Sequence, residues 1–151
     1  MKAKDFFTWD FSGSDLQEAY RSYFAEQGVL VGDWDAYFQK MSDGPTTAMV
    51  RRNSKGTIIG FIQCSKLTMT SWFFEDTYGF VEEFWVAPEY RCKGHGSEML
   101  KNAEERFASG GVTHMILTTD SAEAFYLHRG YRREKGIAAR NLAPVYVKQL
   151  E

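Results

Sequence analysis

Polar and apolar positions alternate weakly from Asp5 to Phe11, a period of two that predicts a first strand. From Leu16 the spacing changes. Leu16, Ala19, Tyr20, Tyr23 and Phe24 fall on one side of a helix. Ser12-Gly13-Ser14-Asp15 offers caps before it, and Gln17, three after Ser14, has the spacing of a capping box. Gly28 and Gly32 bracket a short apolar piece. A second helix is predicted from about Asp33, with Trp34, Tyr37, Phe38 and Met41 inward, ended by Asp43-Gly44-Pro45.

The pattern then returns to strands. Thr46 to Arg52 and Thr57 to Leu67 read as a hairpin around Asn53-Ser54-Lys55-Gly56. Thr68 to Gly79 reads as a polar and aromatic connection, and Tyr78 to Val86 as a central strand stopped by Pro88. A long amphipathic pattern with Met99, Leu100, Ala103 and Phe107 on one side predicts a helix to about Ser109, followed by a turn at Gly110-Gly111. A strand from His114 to Thr118, a short helix around Phe125-Tyr126, and closing strands near Tyr131 to Glu134 and Val145 to Gln149 complete the chain. Strands interrupted by helices imply an α/β or α+β sheet covered on both faces. There are no repeats, linkers or low-complexity segments, so residues 1–151 are expected to form one domain.

Composition excludes several classes. Hydrophobic residues make up 44% of the chain, so it is globular rather than disordered. A formal net charge of −2 gives no basic excess to attract nucleic acid. MKAKDFFTWD lacks the apolar core of a signal peptide, and no apolar run is long enough for a membrane span. Cys64 and Cys92 are far apart, and His95, His114 and His128 are scattered. No metal site and a reducing cytoplasm are expected.

The candidate chemistry lies between Val81 and Phe107. A strand leads through Pro88-Glu89-Tyr90 into Arg91-Cys92-Lys93-Gly94-His95-Gly96, and Ser97 then opens a helix. The first turn of a helix has backbone N–H groups with no helical partner and carries the positive end of the dipole. Glycines let an anion approach closely, Arg91 and Lys93 add charge, and Ser97 adds a hydroxyl. The run is not a Walker A loop, because Gly96-Ser97-Glu98 lacks the lysine. It is not a dinucleotide fingerprint either, because Gly94-His95-Gly96 has no third glycine.

Arg-x-x-Gly-x-Gly after a strand ending Val-x-Pro resembles the acyl-CoA pyrophosphate loop of the GNAT superfamily of N-acetyltransferases. Ala122 to Tyr131, with Phe125-Tyr126 and Gly130-Tyr131, looks like the family's second conserved block. The resemblance covers about Ile58 to Leu150. It implies a mixed, mostly antiparallel central sheet of about 6–7 strands with 4 helices on both faces. It also implies acetyl-CoA as co-substrate, bound by Arg91, Cys92, Lys93, Gly94, His95, Gly96 and Ser97. Backbone groups of Phe84, Trp85 and Val86 would hold the pantetheine. Cys92 stands where the family most often has glycine, and His95 where an aliphatic or aromatic residue is common. Both positions can bind through backbone N–H. Thr119 stands where the family often has asparagine, seven residues before the tyrosine.

In the resemblance, Tyr126 lies against the cofactor sulfur and protonates the leaving thiolate. A phenol of pKa about 10 suits a thiolate of about 8.5; the structural alternative is a half-buried helix tyrosine bonded to a carbonyl. Glu82 and Glu83 interrupt the apolar central strand, where carboxylates are costly to bury without a partner or a task. Either one could be the general base, or both could serve a salt bridge or a water-facing sheet. Val81 to Val86 resembles the polyamine-type branch, whereas the base of the histone-modifying branch would fall at Phe80. The implied reaction is acetyl transfer to a primary amine of a small, cationic substrate by direct attack in a ternary complex. The alternative is a catalytically silent acyl-CoA-binding module. Trp72-Phe73-Phe74-Glu75-Asp76 could be a substrate wall or a subunit contact, so a homodimer stays open. Asp33, Asp35, Glu75, Asp76 and Glu123 could be an acidic pocket mouth or ordinary solvated charges.

Overall fold

The computed structural model describes residues 3–70 and 72–151, and the chain forms two compact units. The first comprises Met1–Cys64 and Glu83–Leu100, the second Ser65–Glu82 and Lys101–Glu151.

The first unit starts with strand β1 (Lys4–Thr8), helix α1 (Ser14–Gln27), helix α2 (Trp34–Asp43) and strand β2 (Thr47–Arg52). It also holds the first part of β3 (Ile58–Thr70), the end of β4 (Glu75–Val86) and the start of α3 (His95–Ser109). β1 is shorter than the alternation from Asp5 to Phe11 predicts. The Asp10 N–H donates to the Thr8 hydroxyl and the Ser12 N–H to the Asp10 carboxylate, so local side-chain bonds turn the chain out of the strand. The capping box at Ser14 does not form either. Gly13 is the cap residue, and the Gln17 amide donates instead to the Phe11 carbonyl at 2.8 Å. Asp33 behaves as read, its carboxylate accepting from the Ala36 N–H at 3.1 Å at the start of α2.

Helices lie on opposite faces of the strands of this unit. β1, β2 and β3 are antiparallel, with Val50 opposite Phe61 and Arg51 opposite Gly60. Ala48, Val50 and Phe61 join the core built with Leu16, Ala19, Tyr20 and Phe24 of α1 and Phe38 and Met41 of α2. The Tyr20 and Phe61 rings stack at 4.2 Å. One residue along each strand, on the other face, Arg51 meets Glu98 of α3, and Gly60 lies against Met99.

The second unit contains the rest of β3, β4 and α3, then β5 (His114–Thr118), α4 (Glu123–Leu127), β6 (Arg132–Arg133) and β7 (Val145–Gln149). β4 runs parallel to β5 from Tyr78↔His114 to Phe80↔Ile116, and β7 lies antiparallel to both β5 and β6. The connection expected over Thr68 to Gly79 is mostly strand. β3 runs on to Thr70 and β4 begins at Glu75, with the Thr68 and Thr77 hydroxyls 3.4 Å apart. On β3 the arm is half-buried along one side only, at Ser65, Leu67 and Met69, while Lys66, Thr68 and Thr70 are exposed. Ser71 lies outside the described residues. Among the described residues the strand order is β1-β2-β3-β4-β5-β7-β6, a seven-stranded, mostly antiparallel sheet accompanied by four α-helices, the architecture expected from the sequence.

Gly60 sets a measurable limit on packing in the first unit. A Cβ there would lie 2.8 Å from the Trp85 carbonyl oxygen and 3.1 Å from the end of Met99. Gly60→Ala should therefore cost about 1–3 kcal/mol in urea unfolding. Gly32→Ala, with nothing within 4 Å of the new methyl, should stay within about 0.5 kcal/mol of wild type. Equal midpoints for the two variants would show that β3 and β4 can separate without loss.

Candidate active site

The strand-to-helix loop of the first unit is built from backbone. After β4, the Ala87 N–H donates to the Ile59 carbonyl at 2.8 Å, and Pro88–Tyr90 makes a single 3-10 turn. Cys92 and Gly94 then take left-handed conformations, with φ of 61° and 86°. The first bond of α3 runs from the Glu98 N–H to the Gly94 carbonyl at 3.1 Å. The backbone N–H groups of His95 and Gly96 precede that bond and follow two left-handed residues, which is the geometry of an anion-binding concavity. Cys92 thus replaces the family's glycine where the backbone asks for glycine.

The two loop cations are exposed, and both bond back onto the protein. Arg91 donates from Nε to the Val86 carbonyl at 2.7 Å and pairs with Glu26 of α1 at 2.6 Å. Lys93 Nζ donates to the Glu89 carbonyl at 2.9 Å. Glu26 also accepts from the Trp85 indole N–H at 3.0 Å. Burial pushes the Glu26 carboxyl up, but the bonds from Arg91 and Trp85 outweigh it and hold it below the usual range. The loop's first offer to a phosphate is therefore backbone N–H and helix dipole, with Arg91 anchored to one side.

Glu83, in the same unit, accepts from the Tyr23 hydroxyl of α1 at 2.5 Å, a short charge-assisted bond that fixes the carboxylate. Glu82 belongs to the second unit and is half-buried. Phe84 and Val86 are half-buried and Trp85 is buried. The ladder between β4 and β5 ends at Phe80↔Ile116, short of the end of β4 at Val86.

Tyr126 sits in the second unit, on α4. The Thr119 hydroxyl starts that helix by accepting from the Ala122 N–H at 3.0 Å, so one of its lone pairs is already committed. The Tyr126 ring is buried, edge-on to Phe125 at 5.1 Å and to Tyr131 at 5.5 Å. Burial pushes its phenol up to about 12, and Arg129 pulls it down less strongly. Tyr131 is braced from behind. Its hydroxyl donates to Glu104 at 2.8 Å, and Lys148 donates to the other oxygen of the same carboxylate at 2.8 Å. Burial and the Glu104 carboxylate push the Tyr131 phenol up further.

The chain matches the model of the acetyltransferase (GNAT) family over residues 6–138. It belongs to that family. Three solved structures share its fold. A GNAT-family acetyltransferase from Staphylococcus aureus Mu50 is 14% identical with a TM-score of 0.70, covering 99% of both chains. The PaiA N-acetyltransferase from Thermoplasma acidophilum, in complex with coenzyme A, is 14% identical with a TM-score of 0.62, again covering 99% of both chains. Tetrahymena GCN5 is 13% identical with a TM-score of 0.73, covering 98% of this chain and 96% of that one. No curated protein matches the sequence. At these identities the structures establish the fold of this GNAT chain and no substrate. Among the described residues there is no cluster of three or more potential metal ligands, and no helix is long and apolar enough to cross a membrane.

Several other acids and aromatics of this GNAT chain can now be placed. Asp33 caps α2, and Glu123 accepts from the Tyr146 hydroxyl, so these two are structural acids. Trp72, Phe73 and Phe74 are exposed in the short segment between β3 and β4. Tyr23, Glu26 and Arg51 were not singled out from sequence as site residues. Arg51 finds Asp5 only across the β1–β2 register, which the sequence pattern does not give.

Two outcomes follow from the strain and the burial. Cys92→Gly removes a side chain from a left-handed residue and should melt no lower than wild type, whereas Cys92→Val should lose about 1–2 kcal/mol. Thermal unfolding of both variants checks this, and a stable valine variant would show that the loop can relax. Subtracting the alkaline ultraviolet titration of Tyr126→Phe from that of wild type should reveal a phenol with a midpoint near about 12. Because that value lies above the unfolded 10, the buried phenol's contribution to stability is intact below pH 10. It is lost as pH climbs through about 12. A midpoint at the ordinary value would mean that the ring is open to water.

Proposed function

We propose that the chain is an acetyl-CoA-dependent N-acetyltransferase acting on a primary amine of a small cationic substrate, by direct attack in a ternary complex. The observation that carries the reading is the loop from Arg91 to Ser97, with left-handed residues at 92 and 94 opening onto the first turn of α3. The residues fit a diphosphate: two flanking glycines, backbone donors and the positive end of a long helix. When bound, acetyl-CoA supplies an activated acyl carbonyl and a thiolate leaving group.

The chain's own groups supply the rest. The N–H groups of His95, Gly96 and Ser97 would hold the diphosphate. Backbone groups of Phe84, Trp85 and Val86, on the part of β4 beyond its ladder with β5, would hold the pantetheine and stabilise charge on the carbonyl oxygen. Thr119 could add a hydroxyl contact. Glu82 or Glu83 would take the ammonium proton directly or through a water. Glu83 is held in place by the Tyr23 hydroxyl. Tyr126, kept protonated by burial, would give its proton to the departing sulfur. No metal is required. The thiols of Cys64 and Cys92 are both free, which suits the reducing cytoplasm we propose as its setting.

Thermal shift with acetyl-CoA, followed by free-thiol release over a panel of primary amines, tests the reading. Stabilisation of about 2.7 kcal/mol is expected at 100 times the dissociation constant. Binding without thiol release on any amine would identify a silent acyl-CoA-binding module instead. Tyr126→Phe should lower kcat by about 10- to 1000-fold with acetyl-CoA affinity retained, and wild-type kcat in that variant would make the hydroxyl structural. For the base, rate–pH profiles of Glu82→Gln and Glu83→Gln on the best amine are decisive. The true base loses rate steeply near neutral pH and less at high pH, where more amine is already neutral. If neither profile changes shape, the amine enters deprotonated.

A further inference from the structure

Arg51 is the largest fully buried side chain among the described residues, 2% exposed, and it sits next to the last residue of β2. All three of its guanidinium nitrogens are engaged. Nε and Nη2 grip both oxygens of Asp5 on β1, at 2.7 and 2.9 Å. Nη2 also donates to Glu98 at 2.7 Å, and Nη1 lies 2.9 Å from His95 Nδ1. Arginine has no acceptor, so His95 Nδ1 must accept, and the proton of the neutral ring sits on Nε2. That bond orients the ring, which also meets Tyr90 edge-on at 5.8 Å.

The two contacts on α3 are informative by position. His95 is the first residue of the helix and follows left-handed Gly94; Glu98 supplies the N–H of the first helical bond. Between them lies Gly96, whose N–H belongs to the first turn of the helix. A planar fork fixed on β2 therefore clamps the helix on either side of its donors. Arg91 and Lys93, by contrast, bond to Glu26, Val86 and Glu89 and make no contact with the first turn of α3 in their hydrogen bonds. A fold-stabilising ion pair would be complete with Asp5 alone. The guanidinium instead spends its remaining nitrogens on the one turn whose direction matters for an anion.

We propose that Arg51 is a positioning residue for cofactor binding: with His95 as its relay and Asp5 as its anchor, it aims the N-terminus of α3 at the diphosphate of acetyl-CoA. This rests on the acetyltransferase reading of the loop. It assigns the diphosphate affinity to a residue that never touches the ligand. It also gives the side chain at position 95 a role besides that of its backbone N–H.

The test compares two acetyl donors, acetyl-CoA and S-acetylpantetheine, which has the same thioester and pantetheine but no diphosphate or adenosine. Arg51→Lys keeps the charge and the Asp5 pair but cannot reach three partners as a planar fork. It should lower kcat/KM for acetyl-CoA by about 10- to 100-fold, through KM, while kcat/KM for S-acetylpantetheine changes by less than about threefold. His95→Phe keeps an aromatic ring beside Tyr90 and removes the acceptor, and it should shift the same ratio in the same direction. An equal loss on both donors, or no loss on either, overturns the inference. So does failure of both variants to fold, which would assign the network to stability alone. The outcome for wild type is separate: if it uses neither donor, or both with the same kcat/KM, the loop does not hold a diphosphate and the reading of the loop itself falls.

Discussion

The backbone between Val86 and His95 has to convert a strand into a helix while leaving the first turn of that helix open, and much of the first unit serves this constraint. Two left-handed residues make the turn. The strand end is pinned by the Ala87–Ile59 bond and by Arg91 reaching back to the Val86 carbonyl. The helix end is pinned by a guanidinium from β2. Gly60 allows the Trp85 carbonyl and Met99 to close over it, so that α3 packs directly against the strand. Each of these is a local steric or electrostatic choice, and together they hold a row of backbone dipoles pointing one way. The favourable energy of an anion there depends on direction as much as on distance.

Helix and strand periodicity carried most of the architecture into view. The stripe Leu16, Ala19, Tyr20 and Phe24 is buried as its spacing implies, and the turn at Asn53 to Gly56 joins the expected pair of strands. What failed was local chemistry with competing solutions. Gln17 had a backbone carbonyl at Phe11 within reach and used it in place of a capping box. The arm from Thr68 to Thr77 is mostly strand, but Met69 is the one half-buried apolar position among its described residues, too little alternation to mark an inner face. Arg51 shows a third kind of failure. A charge in a strand reads as a solvated position until Asp5 of β1 and His95 and Glu98 of α3 are brought to it from two distant parts of the chain.

The candidate site was legible in proportion to how much it depends on backbone. Gly94 and the helix start are written directly in the sequence, because few residues other than glycine tolerate the φ of 86° found at position 94. The left-handed Cys92 was legible only as a departure from the family, and its φ shows that the departure is in side chain alone. The carboxylates were the least legible. Glu82 and Glu83 are adjacent in sequence, yet only the structure distinguishes Glu83 by its bond to Tyr23.

The burial of Tyr126 has a consequence for how this protein would respond to its surroundings. A phenol held near 12 is a fixed donor, indifferent to any change in acidity a cell can impose. Its proton is always present, so its availability carries no information. Any sensitivity to acidity in this chain must come from groups other than this phenol. The hydrophobic wrapping of one ring, with Tyr131, Glu104 and Lys148 stacked behind it, thus divides the chemistry into an insulated half and a responsive half. The two halves are free to be tuned by different substitutions.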